Sequence, residues 1–244
     1  MRYAVFSDVH GNLEALEAVL ADAGRRSPDA YLCLGDVVGY GPDPNACVDR
    51  VRGLGAAVIA GNHDRGAVGL LDTAAFSPLA RAAIEWTAGV LTPESRAFLA
   101  ALPDRLEFPT FLAVHGSPRE PVEEYILDLP TALAVFAEST FTVCLVGHSH
   151  LPGVFVCDAD GRIRGQDLRR GHPVRLLPAA RYIINAGSVG QPRDGDSRAA
   201  YMIFDDDART AALHRLAYPV AETQAKMMAL GLPPVLSRRL AAGT

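Results

Sequence analysis

The sequence has no CxxC pair and no cluster of thiols; Cys33, Cys47, Cys144 and Cys157 stand far apart. That spacing excludes a zinc ribbon and does not fit a secreted disulfide framework. Cys33, Cys144 and Cys157 lie inside apolar runs (YLCLG, TVCLVG, VFVCD), where a free thiol acts as a small buried hydrophobe. Aromatic residues make up only 7% of the chain, so its core must come mainly from Ala, Val, Leu and Ile. Positive charge is not in excess: the formal net charge is -5, which argues against gripping nucleic acid through a broad basic face. It does not argue against a small anionic substrate, which feels the local field. No run approaches the ~18 apolar residues of a membrane span, and the N-terminal run turns polar at Ser7, too early for a signal peptide. The expected location is the cytoplasm, with no membrane partner.

What is present is a layered α/β pattern in 244 residues, 49% hydrophobic and 21% charged. Short apolar runs each end in a small polar cluster: 2–6 before SDVHGN, 31–34 before GDVVGYGPD, 57–60 before GNHDRG, 111–114 before HGSP, 142–146 before GHSH, and 182–184 before NAGSVGQPRDGD. Runs of this length bounded by glycine are strand signals. Helical periodicity alternates with them: Asn12 reads as an N-cap before Leu13, Leu16, Val19 and Leu20, and a second helix follows Pro44. From 65 to 109 the strand rhythm stops. Here 78–90 reads as a helix, and Thr92–Pro93 opens another, to about 102. Residues 131–139 give one more helix. Hairpins are expected from 154–166, turning at 158–161, and from 200–217, turning at 205–209; a helical tail covers 221–230 and 235–242. Without repeats, low-complexity segments or a linker, we expect one domain over 1–244 with a helical insertion at about 65–109. The fold class is α/β passing into α+β, with two sheets.

The polar clusters follow strands, and open α/β sheets bind ligands beyond the carboxyl ends of their strands. Of the seven histidines, His10, His63, His115, His148 and His150 sit in those clusters with Asp8, Asp36, Asn62 and Asp64. His172, in a polar loop, and His214, in a strand, read as structural or solvent-facing. Imidazole nitrogen with carboxylate and amide oxygen suits first-row divalent metals, while the missing thiolates argue against structural zinc. Asp8, His10, Asp36, Asn62, His115, His148 and His150 are too many for one tetrahedral ion; two ions sharing a carboxylate use them with positions left open. His148 and His150 then serve one ion each. Two divalent ions, two aspartates and a bridging hydroxide leave a local charge of about +1, suited to an anionic substrate.

In order, DVHGN, GDVVGYGP, GNHD, VHGS and GHSH closely resemble the five motifs D-x-H, G-D, G-N-H-D/E, H and G-H-x-H of the calcineurin-like metallophosphoesterases. The motifs run from Asp8 to His150. NAGSVGQPRD and the Gly-Tyr-Gly-Pro after the second motif look like the compact stand-alone bacterial and archaeal branch. The resemblance implies a β-sandwich of two mixed sheets flanked by helices, a four-layer architecture. It implies that Asp8, His10, Asp36 and His150 hold one metal and Asp36, Asn62, His115 and His148 the other, with Asp36 bridging. It assigns His63 to the leaving-group side and Asp64 to orienting His63, a pairing that would fix the tautomer and raise the imidazole pKa.

The function implied is dinuclear-metal hydrolysis of a small phosphorylated substrate, with Mn, Fe or Zn as the ions. Phosphodiesterase activity comes first. Serine/threonine protein phosphatase and dinucleoside polyphosphate hydrolase are the alternatives, and a non-catalytic phosphate-ligand sensor or scaffold is the reading from another class. Arg193 in GQPRDGD is a candidate substrate contact or a solvated loop residue. Tyr40 borders the cleft or covers apolar surface.

Overall fold

The computed structural model describes residues 1–168 and 172–244. Its elements run β1 (Arg2–Phe6), α1 (Leu13–Arg25), β2 (Ala30–Cys33), α2 (Pro44–Gly53), β3 (Ala57–Val58), α3 (Asn62–Ala67), α4 (Pro78–Val90), α5 (Pro93–Ala100), β4 (Arg105–Glu107), β5 (Leu112–Val114), α6 (Leu129–Glu138) and β6 (Val143–Val146). They continue with β7 (Gly153–Cys157), β8 (Ile163–Asp167), β9 (Val174–Arg175), β10 (Arg181–Asn185), β11 (Ala199–Asp205), β12 (Thr210–Leu216), α7 (Val220–Ala229) and α8 (Pro234–Ala242).

The strands form two mixed sheets, ordered β3-β2-β1-β11-β12-β9 and β4-β5-β6-β10-β7-β8. In the first, β1, β2 and β3 run parallel; in the second, β5, β6 and β10 do. Antiparallel strands complete each sheet.

Side chains alternate across a strand, so each sheet has two faces to bury. Tyr3, Val5, Leu32, Leu34 and Ile59 meet Ala113, Val143, Leu145, Tyr182 and Ile184 between the sheets. The intervening positions face outward, Ala4, Phe6, Cys33, Tyr201 and Ile203 beneath α1 and α2, and Leu112, Val114, Cys144 and Ile183 beneath α6. Each large apolar side chain so buried contributes about 1.5–3 kcal/mol. The helices start where their caps place them. Asn12 accepts from the Ala15 amide at 3.2 Å, and Thr92 accepts from the Ser95 amide at 3.1 Å with Pro93 in the first turn. Among the described residues, no helix is long and apolar enough to cross a membrane.

Three short elements depart from the sequence reading. Arg105–Glu107, inside the stretch read as strand-free, forms β4 by pairing antiparallel with β5. Its charged residues lie at a sheet edge, so no apolar run marks it. Val174–Arg175 pairs with β12 for two residues only. Asn62–Ala67, read as a polar cluster after a strand with no helix assigned, is the helical turn α3: Asp64 accepts from the Gly61 amide at 3.0 Å and satisfies that free donor. The thiols are all free, with Cys33, Cys47 and Cys144 buried and Cys157 half-buried.

Candidate metal and phosphate site

The carboxyl ends of the parallel strands from both sheets converge on one rim. The Asp8 amide donates to the Gly35 carbonyl, Val189 to Ser7 and Gly147 to His115, which ties the loops after β1, β2, β5, β6 and β10 together. Glycines allow this contact. A Cβ on Gly190 would stand 1.9 Å from the Val9 oxygen, and one on Gly61 2.0 Å from Asp36 Oδ1.

Asp8, His10, Asp36, His148 and His150 all adopt left-handed backbone, with φ of 55°, 51°, 54°, 65° and 60°. That conformation costs a non-glycine residue about 1–3 kcal/mol and persists where the surroundings impose it. The side chains it aims inward are buried, as are Asn62, His63, Asp64 and His115.

Four imidazoles are fixed through backbone carbonyls. His10 Nδ1 donates to Val38, His115 Nδ1 to Leu34, His150 Nδ1 to Gln191, and His148 Nε2 to Glu123. His10, His148 and His150, kept neutral by burial, therefore hold their other ring nitrogen as a bare lone pair. His10 Nε2 and His150 Nε2 face each other at 3.1 Å, with Asp8 Oδ1 at 3.3 Å from the latter. Asp8 Oδ1 is buried without a hydrogen bond. Lone pairs aimed at one another with no proton between them repel unless a cation stands among them. The donor set therefore fits a divalent ion that accepts nitrogen and oxygen.

Asp36 joins the two halves. Its Oδ2 lies 3.6 Å from His10 Nε2 and 3.4 Å from His115 Nε2, while Oδ1 accepts from the His63 amide at 2.9 Å. His115 Nε2 is 3.2 Å from Asn62 Oδ1. Three clusters have ligand atoms within 4.8 Å of one another: Asp8 with His10 and His150, His10 with Asp36 and His63, and Asp36 with His115 and His148.

Burial opposes the charge of Asp36, but His115 and His63 outweigh it and hold its carboxyl well below the usual range. Burial also opposes charge on His115; the Asp36 carboxylate outweighs that and raises it to about 9. Burial pushes His63 down to about 4 and His148 to about 3, and raises the carboxyls of Asp8 and Asp64.

The carboxylate–imidazole bond expected between Asp64 and His63 does not form. Asp64 instead accepts from the Val38 amide at 3.1 Å and from Gly61, because the α3 turn directs it back to its own N-terminus. It holds the loop that carries His63. His63 Nδ1 is buried without a partner.

Asn62, His63 and His148 open into a cleft of about 450 Å³, within the usual range for small-ligand sites. Arg193 and Tyr40 line it too. Tyr40 meets both sequence expectations: its ring lies 4.5 Å from that of His63 and 4.8 Å from that of His10, and it packs on Ala80, Leu236 and Leu240. Arg193 bonds to Gln191 Oε1 at 3.0 Å, leaves its buried Nε unpaired, and carries its guanidinium 5.9 Å from the Tyr40 ring. His172 is exposed, and half-buried His214, in β12, packs on Tyr201 of β11, away from the cluster.

Sequence reasoning missed Tyr125, which stacks on His148 at 3.6 Å, and Phe76 and Arg239, which line the cleft. They lie outside the strand-end clusters, and no local pattern marks them. A second, apolar cleft of about 170 Å³ between Leu127, Leu151 and Phe155 holds none of the expected ligands.

Comparison with known proteins identifies the family and the fold. The sequence pattern of the calcineurin-like phosphoesterase superfamily domain matches residues 1–209. The chain is 37% identical to an uncharacterized protein of Methanocaldococcus jannaschii, over 98% of this chain and 97% of that one. A metallophosphoesterase from Sphaerobacter thermophilus superposes with a TM-score of 0.89 at 44% identity, covering 100% of this chain and 99% of its own. A hypothetical protein from Pyrococcus horikoshii OT3 shares the fold at a TM-score of 0.80 and 21% identity, with 100% and 98% covered.

Proposed function

Because the chain belongs to the calcineurin-like phosphoesterase superfamily, a family of phosphoester hydrolases that bind divalent metals, we propose that it is a dinuclear phosphodiesterase acting on small phosphorylated substrates. The observation that carries the reading is the facing pair His10 Nε2 and His150 Nε2, 3.1 Å apart beside the unpaired Asp8 Oδ1. Asp8, His10, Asp36 and His150 would hold one ion; Asp36, Asn62, His115 and His148 would hold the other. Two Mn, Fe or Zn ions held there supply Lewis acidity toward phosphoryl oxygens and acidify water.

The protein's own groups do the rest. Backbone carbonyls orient four rings, so His10, His148 and His150 expose their lone pairs without reorganising, whereas His115 would release a proton on ligating. His63, neutral at pH 7 by burial, borders the cleft and donates a hydrogen bond to phosphoryl or leaving oxygen as charge builds there. Asp64 positions the His63 loop through the Gly61 and Val38 amides. Arg193 presents a guanidinium to the substrate phosphate, and a fork of donors suits that group. We read the chain as one domain whose insertion at about 65–109 shapes the cleft, since Phe76 and Ala80 line it.

The test is hydrolysis of bis-p-nitrophenyl phosphate beside p-nitrophenyl phosphate, on protein stripped with chelator and titrated with manganese. Turnover that requires added metal, faster on the diester, is the expected result. A faster monoester identifies a phosphatase. Binding of two ions without turnover of either ester points to the sensor reading.

A further inference from the structure

The cleft extends past the metal-ligand candidates to a second arginine from the far end of the chain. Arg239 stands on α8, outside the residues 1–209 that the superfamily pattern matches. Its neighbours Leu236 and Leu240 are buried with Tyr40, and this packing sets Arg239 at the cleft wall. The end of α8 is pinned to the loop after Arg193. The Gly195 amide donates to the Gly243 carbonyl at 2.9 Å, and a Cβ on Gly243 would stand 2.7 Å from the Asp196 backbone. The two arginines are therefore placed by one local structure.

They serve different depths. The charge of Arg193 reaches Asp8, His10, His63 and His150 as well as Tyr40, whereas that of Arg239 is felt at Tyr40, whose ring packs beside those of His63 and His10. Arg119, Arg198 and Arg215 are each tied to a carboxylate, but among the described residues no carboxylate pairs with half-buried Arg239. Exposed Glu123 is the one acidic side chain among the described residues lining the cleft. An uncommitted guanidinium in a cleft whose inner end is built for phosphate has an obvious use, because its planar fork matches a second phosphate as well as the first.

We propose that Arg239 forms an outer phosphate subsite, so that the protein selects phosphate esters carrying a second phosphate at the end of the molecule away from the ligand cluster. This rests on the phosphoesterase reading for the inner phosphate. The outer phosphate is held, not cleaved, and the aromatic rings of Tyr40 and Phe76 line the space between.

The experiment measures binding, by titration calorimetry on manganese-loaded protein, of adenosine 5′-monophosphate, adenosine 5′-diphosphate and adenosine 3′,5′-bisphosphate. The last two add a second phosphate at two different reaches. At least one should bind about tenfold or more tightly than the monophosphate, as for a charge-assisted guanidinium–phosphate contact. In Arg239→Gln that preference should disappear, and Arg239→Lys should keep part of it. Thermal melts check that the variants remain folded. A wild-type protein that binds all three equally, or binds none, overturns the subsite, as does a preference that survives in Arg239→Gln. Turnover of bis-p-nitrophenyl phosphate by the wild type is scored separately. Turnover without the preference removes only the subsite, and the preference without turnover removes only the hydrolase reading.

Discussion

At one rim of the sandwich, Asp8, His10, Asp36, His148 and His150 are buried and held in left-handed backbone. At the opposite rim, the turn at 158–161 places its charges in water. There Asp158 accepts from the Asp160 and Arg162 amides, and Arg162 pairs with Asp160 at 3.4 Å with the side chains 81% and 72% exposed. Glycines divide in the same way. Gly161 supplies a positive φ of 78° and a Cβ there would meet nothing within 4 Å, whereas one on Gly190 would collide with backbone. The 158–161 turn closes its hairpin at little cost, whereas the ligand-candidate rim concentrates strain, buried polar atoms and close backbone approach, the cost of aiming lone pairs at a common point.

The largest effect that can test this contrast lies in a pair of substitutions at the ligand rim. Asp36→Asn removes the carboxylate shared between the two halves and leaves His115 without its counter-charge. It should lower manganese content and reduce diester turnover by about 10³-fold or more, as for losing metal catalysis as a whole. His63→Ala should leave metal content intact and reduce turnover by about 10²-fold, the range for losing a positioned donor. Metal analysis by plasma emission beside kcat separates the two. If both variants lose metal equally, His63 is a ligand, as its place with His10 and Asp36 in one cluster permits. If His63→Ala keeps full activity, it has no part in the reaction.

The ligand rim was more legible in the sequence than the rest of its cleft, and the reason is physical. Each ligand candidate follows a β-strand directly, so a short apolar run and a glycine announce it. The helices at Pro78–Val90 and Pro93–Ala100 were equally plain, because their caps and apolar faces are local. β4 and β9 are not marked in the sequence because pairing, with the next strand for β4 and a distant one for β9, and not their own composition, makes them strands. Tyr125, Phe76 and Arg239 are unmarked for the same reason: they reach the cleft through tertiary packing. Asp64 was placed in the right loop but given the wrong partner. Spacing brings it next to His63 in sequence, and only the turn of α3 shows that it faces the amides behind it.

A stability measurement sharpens the comparison at the next level. Gly190→Ala must push the loop after β10 away from Val9 and should destabilise the fold by about 1–3 kcal/mol, the usual range for overpacking. Arg162→Ala at the other rim should cost under about 0.5 kcal/mol, as for other exposed pairs. Urea midpoints of the two variants read this directly. Equal costs would mean that the two rims are equally constrained and that the strain at the ligands is not maintained by the loops around them.

An effect smaller than that of Gly190→Ala concerns a buried carboxylate that serves structure rather than the site. Burial opposes the charge of Asp22, but hydrogen bonds from Tyr201, Arg26 and Arg25 outweigh it and hold the pKa at about 2. A carboxylate whose folded pKa lies below its unfolded value stabilises above the unfolded value, near 4, and loses that contribution as pH falls toward about 2. Discounted for screening by nearby solvent, the contribution is about 1 kcal/mol at pH 7. Asp22→Asn should therefore lower stability near neutrality, and its gap from the wild type should narrow as the pH drops from 4 to about 2. Urea unfolding across that range is the measurement. A gap that stays constant with pH would mean that Asp22 contributes through the shape of its hydrogen bonds and not its charge.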